Sequence, residues 1–220
     1  MDFERYLSLY DTFDKGHDRR HVDAVVEHAN ALARKHLPDK LHLAHAAAVL
    51  HDIGLVGGRE GHESRGAEMV ATDPYLNDVF NKRELKQLVH AVKQHRASTG
   101  RPRSVLGKLV SDADRVGTTN HLYRAVQYRE KNMPEMGPED RLREAAAHII
   151  DKYGPGGYGR RTYFPETDER LDSLLAPIMK AYNAQDWGEL DLLSKSAGVM
   201  KDLLIDVEER VREKLAKYYK

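Results

Sequence analysis

Apolar side chains recur along the chain at intervals of three and four residues, which is the spacing of one face of an α-helix. The clearest stripe consists of Val22, Val25, Val26, Ala29, Leu32 and Ala33, and Pro38 follows it. No stretch shows the sustained alternation and β-branched enrichment that are typical of strands. The pattern therefore predicts an all-α protein.

Further helices are expected where this spacing continues. Asn81 and Ser104 each stand where they can cap a helix. Glycine-rich loops over residues 54–61 and 153–161 separate helical segments. The predicted helices cover about residues 41–53, 62–71, 81–95, 104–116, 139–153, 167–183 (interrupted by Pro177) and 186–219, the last of them an amphipathic outer helix.

The segment 41–53 differs from the others because it is apolar on nearly all sides and ends in His51-Asp52, followed by Gly54. Such a helix belongs in a core. A core tolerates a histidine and a carboxylate only when they are paired or bound to something. Adjacent helical residues point about 100° apart, so both side chains can reach one ion beyond the helix end. The dipeptide itself fits a metal site or a buried hydrogen bond.

Two other helices carry candidate ligands. His21 lies four residues before Val25 and should point to the core, where it could also serve as a capping or core residue. Asp112 and Asp114 stand beside apolar positions, and carboxylates are rarely buried unless they are paired or metal-bound. They point about 200° apart, so a regular helix cannot aim both at one ion, and periodicity favours Asp112.

His62 follows the first glycine-rich loop, and His90 and His95 lie on the helix that Asn81 begins. Their spacing of five residues places His90 and His95 about 140° apart, so at most one faces a common site. Taken individually, His62 and His95 fit solvent-exposed polar positions.

Composition narrows the function classes. The 220 residues include 35 basic and 35 acidic side chains, so no global field attracts nucleic acid or an anionic membrane. The absence of cysteine excludes disulfides, thiolate zinc sites and cysteine nucleophiles. No apolar run approaches the ~20 residues of a membrane span, and the first residues do not resemble a secretory signal. We expect a soluble cytoplasmic protein without a membrane or nucleic-acid partner.

Three short sequence motifs occur one after another along the chain. They are His-Asp-Arg-Arg-His-Val at 17–22, Ala-Ala-Ala-Val-Leu-His-Asp-Ile-Gly at 46–54 and Asp-Ala-Asp-Arg-Val at 112–116. Together they resemble the motifs of the HD superfamily of metal-dependent phosphohydrolases, over about residues 15–117. The resemblance implies an HD-domain helical bundle. We expect one domain over residues 1–220, with a C-terminal helical extension over about residues 118–220.

The resemblance also implies roles for residues. The metal ligands would be His21, His51, Asp52 and Asp114, since the family's ligand is the aspartate directly before the basic residue. The ion would be divalent Mn, Fe, Co, Ni, Zn or Mg, with one or two ions per chain. In binuclear family members, histidines placed like His62 and His95 bind a second metal, whereas in mononuclear members such positions face the substrate phosphate. The sequence slightly favours the mononuclear form, because no further carboxylate is available for a second ion.

The function implied is hydrolysis of a phosphoester of a nucleotide or another small phosphorylated metabolite by metal-activated water. Asp52 or Asp114 would orient that water. His62, Arg65, His95 and Arg96 would surround the phosphate. The lack of a Gly-Tyr-Pro signature argues against a cyclic dinucleotide substrate. Two alternatives remain open: an HD-type di-iron oxygenase, and a non-catalytic nucleotide-binding HD module.

Overall fold

The computed structural model describes residues 2–14, 16–96, 99–116 and 121–195, and every regular element in those ranges is a helix. The all-α prediction is confirmed. The α-helices are α1 (Glu4–Leu7), α2 (Arg19–His36), α3 (Leu41–Leu50), α4 (His62–Thr72), α5 (Pro74–Val79), α6 (Lys82–Gln94), α7 (Val105–Val116), α8 (His121–Asn132), α9 (Pro138–Tyr153) and α10 (Pro165–Asn183). Short 3₁₀ helices cover Ser8–Thr12, Pro38–Lys40 and Ile53–Gly57.

The last predicted helix falls only partly within these ranges. Residues 187–195 are helical, whereas residues 196–219 lie outside the described part of the chain. No described helix is long and apolar enough to cross a membrane.

The chain divides into two compact units. The first comprises Met1–Thr118 and Pro155–Asp172, and the second comprises Thr119–Gly154 and Ser173–Lys220. Within the second unit α8 packs on α9, and His121 stacks on Tyr153 with ring centroids 4.4 Å apart. The organisation of residues 1–220 as one domain stays a prediction.

Helix α3 is the centre of the first unit. It packs against α2, α6 and α7, and seven of its ten residues are buried. This agrees with the apolar pattern over residues 41–53, but the helix ends at Leu50 rather than Ile53. Tyr10 explains the early end, because its hydroxyl donates to the carbonyl of Val49 (2.7 Å) and accepts from the N–H of Asp52 (3.2 Å). The chain therefore turns at His51 and Asp52, and their side chains lie beyond the helix.

Helix caps fix where the surrounding helices begin. The Asp18 carboxylate accepts from the backbone N–H of His21 at the start of α2. Asn81 and Glu84 form a reciprocal capping box on α6. The Ser104 hydroxyl accepts from the N–H of Gly107 at the start of α7. Both caps expected from the sequence, Asn81 and Ser104, are confirmed.

Helix α7 also holds a later part of the same unit. The buried Asp112 carboxylate accepts from Arg115 (3.0 Å) and from the backbone N–H groups of Tyr163 (2.8 Å) and Phe164 (3.0 Å). Arg115 in turn donates to the carbonyl of Gly159 (3.2 Å). Residues 159–164 are thereby fastened to one face of α7.

We predict that Asp112→Asn destabilises the protein by about 3 kcal/mol, because it leaves the buried Arg115 guanidinium without its carboxylate. The new amide would also point a donor at backbone N–H groups. Urea unfolding measures this, with Asp78→Asn on the exposed side of α5 as the control. Equal stability of the two variants would contradict the structural role of Asp112.

Candidate metal centre

Six titratable side chains converge in the first unit. They are contributed by the start of α2 (His21), the turn after α3 (His51 and Asp52), the start of α4 (His62), the residue after α6 (His95) and the last turn of α7 (Asp114). The side chain of Asp114 is 25 % exposed, and the other five residues are buried. The structure thus brings together all four residues expected as metal ligands, together with His62 and His95.

One group of three could hold an ion. The Nε2 atom of His21 lies 3.2 Å from Nε2 of His51 and 3.4 Å from Oδ1 of Asp114. The His51 Nε2 atom is 3.9 Å from the same carboxylate oxygen. These three ligand atoms lie within 4.8 Å of one another, which is close enough to contact one metal ion.

A second group of three consists of Asp52, His62 and His95. The Oδ1 atom of Asp52 lies 3.2 Å from Nε2 of His62 and 3.3 Å from Nε2 of His95. These ligand atoms also lie within 4.8 Å of one another.

Asp52 faces both groups with different oxygens. While Oδ1 faces His62 and His95, Oδ2 lies 3.1 Å from Nε2 of His51 and 3.7 Å from Nε2 of His21. A carboxylate with one oxygen towards each of two groups could supply a ligand atom to both.

Backbone carbonyls orient three of the imidazoles. The Nδ1 atoms of His51, His62 and His95 lie 2.7, 2.8 and 2.6 Å from the carbonyl oxygens of Ala48, Arg59 and Val92, respectively. A carbonyl only accepts, so each Nδ1 carries a proton, and in the neutral ring Nε2 keeps the lone pair that faces the site. This is the tautomer that a metal ligand needs. His21 differs, because its buried Nδ1 has no hydrogen-bond partner among the described residues.

Close packing of two glycines brings α4 to the site. A Cβ on Gly54 would lie 2.0 Å from the carbonyl oxygen of His62 and 2.5 Å from the backbone nitrogen of Gly66. Any larger residue at position 54 would therefore displace the first turns of α4. Gly54 therefore allows α4 to pack closely, a role that the sequence pattern did not reveal.

The two arginines expected at the phosphate have different surroundings. Arg65 donates to the carbonyls of Gly54, Gly58 and Glu60, so its guanidinium holds the glycine-rich loop together. This differs from the expected phosphate contact. Arg96 is partly exposed and lies 3.7 Å from a carboxylate oxygen of Glu63, at the edge of the His62/His95 group.

Sequence reasoning missed two residues that support the site. Tyr10 is fully buried and braces the turn at Asp52, as described above. Glu63 places a carboxylate oxygen 3.2 Å from Nδ1 of His62, where it acts through its charge, since that Nδ1 donates to the carbonyl of Arg59. The position of Glu63 next to His62 was a usable signal, whereas Tyr10 looks like an ordinary apolar residue in sequence.

Three ambiguities left by periodicity are resolved. His95 is buried and His90 is exposed, as their 140° separation allows. The solvent-exposed interpretation of His62 and His95 is wrong, since both are buried. The periodic preference for Asp112 is also wrong, because that carboxylate is bonded to Arg115 and to residues 163 and 164 on another face of α7.

Charge coupling dominates the acid–base behaviour of the site. Burial by itself would lower the pKa of His21, but the carboxylates of Asp114 and Asp52 outweigh it and raise that pKa to about 9. Burial and Asp52 act on His95 in the same opposing way and leave its pKa at about 8. Burial would raise the pKa of Asp52 and of Asp114, yet the histidines hold both pKa values below their usual range.

The donor set fits a divalent transition metal. Four imidazole nitrogens and two carboxylates suit Mn, Fe, Co, Ni or Zn better than Ca, which prefers oxygen ligands alone. The buried carboxylates also need a positive partner, which a metal ion supplies when the histidines are neutral.

Comparison with known families agrees with this geometry. Residues 19–119 match the family model of the HD domain. This part of the chain is an HD domain. The chain matches no curated protein and no solved structure. The HD domain begins at α2 and extends just past α7, so it contains all six converging side chains.

We predict that the metal-free HD domain loses stability as the pH rises from 6 to 9.5. A folded-state pKa of about 9 for His21 means that its stabilisation is complete below the unfolded value of about 6.5 and is lost through pH 9. The lowered pKa values of Asp52 and Asp114 act oppositely, because their contribution is present above about pH 4 and is lost as the pH falls further. The loss at high pH should be on the order of 3 kcal/mol.

Urea unfolding in the presence of a chelator measures this loss. His21→Gln should show a shallower decline over the same range, since it lacks one of the two histidines whose pKa is raised, and His95, with a pKa of about 8, accounts for the remaining decline. Parallel declines in the two proteins would show that His21 is not the group responsible.

Proposed function

We propose that the HD domain is a metal-dependent phosphohydrolase with two metal ions, acting on a phosphoester of a nucleotide or another small phosphorylated metabolite. The supporting observation is the division of the Asp52 carboxylate between two three-residue ligand groups. The proposed ligands are His21, His51 and Asp114 for one ion, His62 and His95 for the other, and Asp52 for both.

The proposal of two ions replaces the slight preference for a mononuclear site that was drawn from the sequence. That preference rested on the lack of another carboxylate for a second ion. Asp52 removes this objection, because its two oxygens face different histidine pairs.

Phosphoester hydrolysis depends on charge neutralisation and in-line positioning more than on covalent chemistry. Bound divalent ions supply the neutralisation and make a water molecule more acidic. The chain supplies orientation: three carbonyl-anchored imidazoles hold their Nε2 atoms in place. Asp114 is the more accessible carboxylate and is proposed to orient the attacking water, while the buried Asp52 is proposed to fix the geometry.

The same ligand set supports a second candidate function, a di-iron oxygenase. Four imidazoles and a shared carboxylate would also hold two irons. The discriminating observation is a spectral change of the iron-loaded protein on exposure to O₂. A non-catalytic nucleotide-binding module is less well supported, because six potential ligands are assembled within hydrogen-bonding or coordination distance.

The metal stoichiometry tests the two-ion arrangement. Wild type should bind about two ions per chain, His62→Ala and His95→Ala about one, and Asp52→Ala close to none, because only Asp52 belongs to both groups. Elemental analysis after dialysis gives the counts. His90→Ala, an exposed histidine on α6 five residues before His95, is the matched control. A single ion in wild type that survives His62→Ala would exclude the second site.

Turnover tests the proposed reaction. Protein loaded with Mn²⁺ or Co²⁺ should hydrolyse phosphoesters in a screen of nucleotides and sugar phosphates. Asp114→Asn should lower kcat/KM by about 100-fold or more, since it weakens both metal binding and water orientation. Asp78→Asn should leave turnover unchanged. Fully loaded wild type without hydrolysis of any phosphoester would remove the assignment.

A further inference from the structure

An exposed arginine stands in the glycine-rich turn at the site and was not among the residues expected there. Arg59 lies between Gly58 and Gly61, whose φ angles of 94° and 64° are in the left-handed region that glycine adopts readily. A Cβ at either glycine would meet nothing within 4 Å. The turn therefore projects from the packed surface and presents Arg59 to solvent.

The backbone of Arg59 is tied to one proposed ligand group. Its carbonyl oxygen is the acceptor for Nδ1 of His62, at 2.8 Å. The position of this residue is therefore fixed relative to the Asp52, His62 and His95 group.

The side chain of Arg59 contacts a histidine that lies next to the other group. One terminal nitrogen lies 3.4 Å from Nε2 of His17, and Nδ1 of His17 lies 3.0 Å from a carboxylate oxygen of Asp14. Because Nδ1 donates to that carboxylate, Nε2 accepts from the guanidinium. The ring of His17 meets the ring of His21 edge-on, with centroids 5.8 Å apart. Arg59 thus contacts His62 of one group through its backbone, and its side chain contacts His17, whose ring packs against His21 of the other group.

A second arginine fixes the turn itself. Arg65 donates to the carbonyl of Gly58 (2.9 Å) and to the carbonyl of Glu60 (3.0 Å), the two residues that flank Arg59. The inner arginine therefore holds the backbone that presents the outer one. Such a built turn distinguishes Arg59 from an arginine on an unconstrained surface loop.

We infer that Arg59 is a substrate-binding residue that contacts a dianionic phosphate group at the metal centre, an inference that rests on the proposed function. A guanidinium has five N–H groups in a planar fork that matches two phosphate oxygens. One terminal nitrogen serves His17, and the exposed remainder of the fork can take a phosphate without breaking that bond. Arg65 is the positioning residue for Arg59, which accounts for its place in the loop.

Arg59 is better placed for this role than Arg96. The Arg96 guanidinium lies near Glu63, and that carboxylate competes with a phosphate for the same donors. Arg59 instead donates to an imidazole nitrogen of His17 rather than to a carboxylate.

Binding of inorganic phosphate to the metal-loaded protein, measured by calorimetry, tests the inference without turnover. Arg59→Ala should weaken phosphate binding by about 10- to 100-fold, because a charge-assisted contact is lost. Arg59→Lys should fall between that variant and wild type, since an ammonium cannot make the bidentate contact. Arg83→Ala, an exposed arginine at the start of α6, should bind phosphate as wild type does.

The bound metal per chain should be unchanged in Arg59→Ala, because the substitution keeps the backbone carbonyl that anchors His62. With a hydrolysable ester, the variant should raise KM. Phosphate affinity equal to that of wild type in Arg59→Ala would overturn the inference, as would a metal-loaded wild type that does not bind phosphate at millimolar concentration. Wild type that binds phosphate through Arg59 but hydrolyses no ester would instead overturn only the proposed function.

Discussion

The buried carboxylate of Asp52 is the constraint on which the HD domain depends. A carboxylate removed from water requires positive charge or several donors around it. The fold meets this requirement by bringing four histidines from four segments of the chain within 3.7 Å of its two oxygens. Helix α3 has to end where it does, Tyr10 has to brace the turn, and α4 has to approach within van der Waals contact of Gly54. Each of these features serves the placement of one side chain.

The helical architecture and most of the site could be predicted from sequence, for different reasons. Helices follow from local spacing and caps, so Asn81 and Ser104 identified helix starts without any tertiary information. The choice of Asp114 over Asp112 needed the family resemblance. Periodicity alone pointed to Asp112, and that residue is indeed the more buried of the two. Its carboxylate, however, forms an ion pair with Arg115.

What could not be predicted depends on contacts between segments distant in sequence. The burial of His62 results from the approach of Gly54 to Gly66. A contact between two distant glycines cannot be predicted from either glycine alone. Arg65 and Arg59 differ by six positions and are chemically identical, yet one is bonded to loop carbonyls and the other is exposed. The sequence led us to expect Arg65 at the phosphate, whereas the folded loop bonds Arg65 to backbone carbonyls and leaves Arg59 exposed.

Helix α7 is held on two faces, and one of these contacts reaches beyond the HD domain match. One face of α7 presents Asp114 to the histidines. The other carries Asp112 and Arg115, which bond to residues 159–164. That held segment lies beyond the HD domain match at residues 19–119. Substitutions in residues 159–164 can change how firmly α7 is held while all six proposed ligand residues are unchanged. The position of Asp114 at the candidate metal centre therefore depends in part on a segment outside residues 19–119.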